Sequence, residues 1–126
     1  MSFTNFLETE ILDHVFAGAA YSAPATKYLG LFTSAPGEAG GGTELSGSAY
    51  ARQSIAFTTS GNTTSNNAAV EFPTATGSWG TVTHVGIFDA STSGNLMAYA
   101  TLSSSKAIAT GDVFRVPSGD LDITLN

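Results

Sequence analysis

At 126 residues the chain has room for one domain, and two would each be short of core. Only 11 % of it is charged, against about 25 % in ordinary soluble domains. Four Lys and Arg stand against ten Asp and Glu, with no Cys; this all but excludes a nucleic-acid backbone as partner, disfavours an anionic membrane surface, and removes disulfides and thiolate chemistry.

Residues 3–16 form the one convincing helix. Phe3, Phe6, Leu7, Ile11, Leu12, Val15 and Phe16 follow the 3.6-residue period as an apolar stripe, with Glu8, Glu10 and Asp13 away from it. Ser2, Thr4 or Asn5 can cap the helix, Glu8 stands at capping-box spacing from Asn5, and Gly18 is a natural stop. A stripe this apolar has to dock on a sheet or on another subunit. The opening lacks the basic start and apolar core of a signal peptide, so synthesis in a cytosol is expected. No apolar run approaches the roughly 20 residues of a membrane span.

After Pro24 the period changes from 3.6 to 2. Residues 28–33 read as a buried strand. Residues 34–48 read as a Gly-rich loop that supplies no core, and a loop of this length is functional or mobile. Strand alternation resumes over 50–57, Ser60-Gly61-Asn62 and Asn66-Asn67 punctuate, and 68–72 is a short strand stopped by Pro73. The turn Gly77-Ser78-Trp79-Gly80 leads into a strand over 81–88. A polar turn over 89–95 precedes a strand over 96–102. Residues 113–117 and 121–125 make a last pair joined by Ser118-Gly119-Asp120. Such spacing predicts a mainly β fold, an antiparallel β-sandwich or barrel with one N-terminal amphipathic α-helix, in a single domain over 1–126 without repeats.

The inventory contains no catalytic site. His84 shares a strand face with Val82, Gly86 and Phe88 on strict alternation and reads as a packed residue; His14 sits late in the helix, where a cation suits the dipole. Neither has a local triad or metal partner. Asp112, Asp120 and Asp122 fall close in sequence, but a calcium site needs six to eight oxygens, and Asp112 and Asp120 are explained as turn residues beside Gly111 and Gly119. Asp120 and Asp122 share a face with no Lys nearby and suit solvent or a basic partner. Gly37 and Gly40 to Gly42 run into Thr-Glu rather than the Lys-Ser/Thr of a phosphate loop. Asn62-Thr63-Thr64 is a polar loop. Trp79, between Ser78 and Gly80, is the least core-like aromatic and suits a contact anchor. The expectation is a non-enzymatic protein without cofactor or metal.

Three stretches carry a resemblance. They are the opening from Phe3 to Phe16, the run Tyr28-Leu29-Gly30-Leu31-Phe32-Thr33-Ser34-Ala35-Pro36-Gly37-Glu38, and Ser78-Trp79-Gly80-Thr81-Val82-Thr83-His84-Val85-Gly86-Ile87-Phe88-Asp89. Tyr50-Ala51-Arg52-Gln53 lies between them and Gly94-Asn95-Leu96 after. Together they resemble a family of small tailed-phage virion structural proteins, whose members are labelled tail fibre proteins and which has similar head decoration (cement) proteins beside it. The resemblance implies a virion component made in the host cytoplasm, with no catalytic residues to carry over. Its first reading is a capsid decoration protein that bridges subunits of the major capsid protein and stabilises the expanded head; short length and lack of repeats favour this. The alternative is a tail fibre or tail-tip component in host-surface attachment, with tail proteins as partners. In either case the expected partner-facing residues are Pro36, Gly37, Glu38, Gly41, Trp79, Asp120 and Asp122. The apolar helix stripe and low charge add the expectation of a homo-oligomer, a trimer.

Overall fold

In the computed structural model, which describes residues 1–126, the chain opens with β1 (Ser2–Phe3) and the single helix α1 (Asn5–Phe16). Strands follow: β2 (Lys27–Ser34), β3 (Thr43–Glu44), β4 (Gln53–Ile55), β5 (Phe57–Ser60), β6 (Thr63–Asn66), β7 (Val70–Glu71), β8 (Gly80–Phe88), β9 (Leu96–Ile108), β10 (Arg115–Val116) and β11 (Asp122–Thr124). The main sheet has six antiparallel strands in the order β1-β9-β8-β2-β3, with β4 sharing the β3 edge of β2. Two smaller sheets, β11-β6-β5 and β10-β7, form the second layer. The result is sandwich-like and not a closed barrel. No helix is long and apolar enough to cross a membrane.

Alternation along β2 sends Leu29 and Leu31 into the space between the layers, where both are fully buried, and sends Gly30 and Phe32 to the other face. β8 does the same with Val85 and Ile87 on the inside and Gly86 and Phe88 outside. Strict alternation fails at Thr83. Val82 pairs with Lys106 and His84 with Thr101, so two steps along β8 are matched by five along β9 and residues 102–105 bulge out. The bulge puts Val82 on the same inner face as Val85, which corrects the expectation that His84 shares its face with Val82. A second irregularity between Ile87 and Phe88 leaves Met97 and Ala98 inside and Leu96 outside with Phe88.

The second layer closes the core with Val70, Phe72, Phe114, Val116 and Leu121. Trp79 joins them. It is 5 % exposed, meets Tyr50 and Phe72 edge-on at 5.6 and 6.5 Å, and donates its indole N–H to the Ser48 carbonyl at 2.9 Å. The expected contact anchor is therefore a core residue: a flanking turn fixes where the backbone reverses, not which way the ring points. Ser48 and Ala49 hold left-handed backbone angles, φ 51° and 70°. That costly conformation presents the Ser48 carbonyl to two donors, the indole and the Thr76 N–H.

Asn66 is a structural residue rather than punctuation. At 1 % exposure its amide donates to the carbonyls of Ala68 and Pro117 and accepts the Leu121 N–H, tying β6 to the final segment. Through it β11 pairs with β6, while β10 pairs with β7, so the expected terminal hairpin is replaced by two separate docking strands. The loop over 34–48 also departs from expectation. Leu45 is in the core and Pro36 is buried.

The helix docks by its first half only. Ser2 and Phe3 extend β1 instead of helix, pairing with Tyr99 and Ala98. Thr4 takes the N-cap position, but its hydroxyl turns away to the carbonyls of Leu96 and Met97, so the expected capping box is absent. Phe6 and Leu7 pack on the core, whereas Leu12, Val15 and Phe16 are 57, 60 and 82 % exposed. Gly18, at φ 75°, does turn the chain out of the helix.

Outside the main sheet, Gly30 and Gly86 face each other across β2 and β8 and make a flat floor. Phe32 and Phe88 stack over it, 5.9 Å apart and 11° from parallel. A Cβ on Gly86 would stand 2.6 Å from Leu96 Cδ1 and 2.8 Å from Phe32 Cε1. Gly86→Ala is expected to lower unfolding free energy by about 1–3 kcal/mol through overpacking. The urea midpoint checks this, and an unchanged midpoint would mean that the rings do not rest on the glycine.

Candidate functional site

The outer aromatic pair lines a cleft of about 470 Å³. Its walls come from three places: the start of α1, the Gly-rich loop and the turn between β8 and β9. Each wall is fixed by local chemistry. The loop is pinched by mutual hydrogen bonds between the backbones of Gly37 and Gly40, at 2.8 and 2.9 Å. At Gly42, φ 72°, any Cβ would strike the Pro36 backbone. The loop is then tied to the helix, where the Asn5 N–H donates to the Glu38 carbonyl. On the opposite wall, the Asp89 carboxylate accepts the backbone and side-chain N–H groups of Asn95, which closes the turn.

One ion pair braces the cleft. Arg52 donates from Nε and Nη2 to the two oxygens of Glu44 at 2.8 and 2.7 Å, a bidentate fork. Its Nη1 donates to the carbonyls of Ala90 and Ser93, and its guanidinium lies 3.4 Å from the Phe88 ring centre. The Tyr50 hydroxyl donates to Glu44 and accepts the Leu31 N–H. Burial, then the bond to Glu44, hold that phenol well above its usual range. These groups are consumed by one another. They hold three loops in place and offer little proton chemistry.

The residues expected to face a partner divide. Glu38 and Gly41 line this cleft, Gly37 forms its pinched turn, and Pro36 is buried beneath it. The Glu38 carboxylate accepts the Tyr99 hydroxyl, which raises the Tyr99 pKa through that hydrogen bond. Trp79 lies in the core. Asp120 and Asp122 are exposed but border a different cleft, about 590 Å³, between the bulge of β9 and the β10–β11 segment. Arg115 and Lys106 border it too, and Lys106 corrects the expectation that no Lys is near these carboxylates. Asp122 is engaged by the Ser65 hydroxyl, and Arg115 stands 3.9 Å from Glu71 in an exposed pair.

The histidines do not converge on a site. His84 Nδ1 lies 2.7 Å from the hydroxyl of its neighbour Thr83. His14 Nδ1 accepts the Tyr21 N–H, which anchors the returning chain at the end of the helix. Reasoning from sequence missed Arg52, Glu44, Asn5 and Asn95. Arg52 was the findable one, as one of only four Lys and Arg and next to aromatic Tyr50.

A family model described as Podophage GP4 fiber I protein gp80 matches residues 2–124, nearly the whole chain. The chain belongs to that family. No curated protein matches it. Membership makes it a bacteriophage virion structural protein of fibre type.

Removal of the Arg52 side chain would leave Glu44 without its countercharge under the Phe88 ring; the two side chains are 9 and 22 % exposed. Arg52→Ala is expected to lower stability by about 3 kcal/mol. Arg115→Ala, at an exposed pair, should change it by less than about 1 kcal/mol. Thermal or urea unfolding of both variants checks the contrast, and equal losses would contradict the bracing role.

Proposed function

We propose that the protein is a non-enzymatic part of the phage tail-fibre apparatus, with tail proteins and further copies of itself as partners, and that it takes part in attachment to the host surface. The observation that carries this reading is the match of residues 2–124 to a podophage fibre family. It supports the fibre alternative better than the head-decoration role that short length and absence of repeats favour. The geometry is compatible with a passive task. The charged and polar groups of the aromatic-floored cleft brace loops, which suits a surface that must keep its shape through assembly and impact. The loop residues Glu38 and Gly41, at the mouth of that cleft, are its proposed contact points. Asp120 and Asp122, on the separate cleft beside Lys106 and Arg115, give a second, mixed-charge surface for a virion partner.

Immunogold labelling of intact particles tests the reading. Gold is expected at the tail or its appendages. Gold spread over the head would favour the decoration role, in which the protein binds the major capsid protein, and unlabelled particles would sink both.

A further inference from the structure

Beside α1 the sandwich is not closed. Between the main sheet and the β11-β6-β5 layer lies a groove of about 490 Å³. Ile87 and Met97 reach it from one layer, Phe57 and Ile123 from the other, and Leu7 from the helix. Its lining is apolar apart from hydroxyls, an amide and a single charge, Lys27, which has no carboxylate within ion-pair distance. On the rim Leu125 is 55 % exposed.

The outer side of α1 presents the complementary surface. Leu12, Val15 and Phe16 are three of the five large apolar side chains that the fold leaves exposed. Glu8 lies one turn before Leu12 and two before Val15, which places its carboxylate on the face of these three side chains and corrects the expectation that Glu8 lies away from the apolar stripe. It too has no cationic partner. One surface is thus an apolar stripe holding an unpaired carboxylate, and the other is an apolar groove holding an unpaired ammonium.

We propose that the stripe of one copy docks in the groove of a second copy of this chain, with Phe16 and Leu12 entering the gap between the layers and Glu8 meeting Lys27. The charges choose this occupant: an acidic stripe fits the groove's lone cation, and the same chain carries both halves. The contact closes the open end of the sandwich and covers the exposed half of the helix. It rests on the proposed self-association of the fibre component and gives that association its surface. Because stripe and groove are different surfaces, the contact is heterologous; three copies close a ring if the rotation between neighbours is near 120°.

Light scattering on the purified full chain tests the contact. Wild type is expected to give a mass of more than one copy at tens of micromolar. Phe16→Asp should give a single-copy mass with an unchanged melting temperature, since that side chain is exposed in the single chain. Glu8→Lys and Lys27→Glu should each weaken association at least tenfold, and the double swap should restore it. A wild-type monomer, full association of Phe16→Asp, or no rescue by the double swap would overturn the proposal. The experiment needs no virion, so its failure is distinct from that of the fibre reading: gold at the tail with a monomeric protein rejects only this contact.

Discussion

The rest of the structure depends on β8 being buried on both faces. Val85 and Ile87 on one side and Gly86 and Phe88 on the other are all withdrawn from water. A sheet with one wet face needs a single covering layer, but this one needs two. The second layer of small sheets covers the inside. The outside is covered by side chains and loops, with Arg52 laid across Phe88 and Glu44 beside it. Gly30 and Gly86 make that cover thin enough, because any larger residue would lift the rings.

This arrangement separates scaffold from surface. In the inner cluster Tyr50, Phe72, Trp79 and Phe114 are each committed to another ring. What faces outward is loop, helix end and edge. A two-layer β fold thus gives this virion structural protein a rigid interior together with several independent faces. The low charge that marks the sequence has the same origin: few ionic groups are required because the faces are built from backbone, hydroxyls and apolar side chains.

How much was legible in the sequence follows from how each element is stabilised. β2 and β8 declare themselves through β-branched and apolar runs, and the helix through its period. The Ser-rich half of β9 and the Thr-rich β6 carry no such pattern. The first reaches its pairing with β8 only at Lys106, Ala107 and Ile108, beyond the bulged serines, and the second is a strand because β5 and β11 pair with it. Val82 and Val85, three residues apart, both face inward, so β8 itself slips by one residue beside the bulge, and nothing in the residue types at 82–85 marks where a period-2 pattern breaks. Trp79 and Leu45 were misplaced because Gly-rich flanks describe backbone, while burial depends on what long-range packing offers. Of the expected surface residues, Glu38, Gly41, Asp120 and Asp122 lie at cleft edges. The sequence held no sign that they belong to two clefts, since that depends on strand pairings of long separation.

Native-state amide hydrogen exchange tests the two-sided burial most directly. Amides of residues 85–88 that bond into the β2 and β9 ladders should exchange slowest, at the free energy of global unfolding. Those at the exposed tip of the β5–β6 hairpin, residues 60–62, should exchange through smaller openings. If residues 85–88 exchanged as fast as that hairpin tip, β8 would not be the element on which the fold depends.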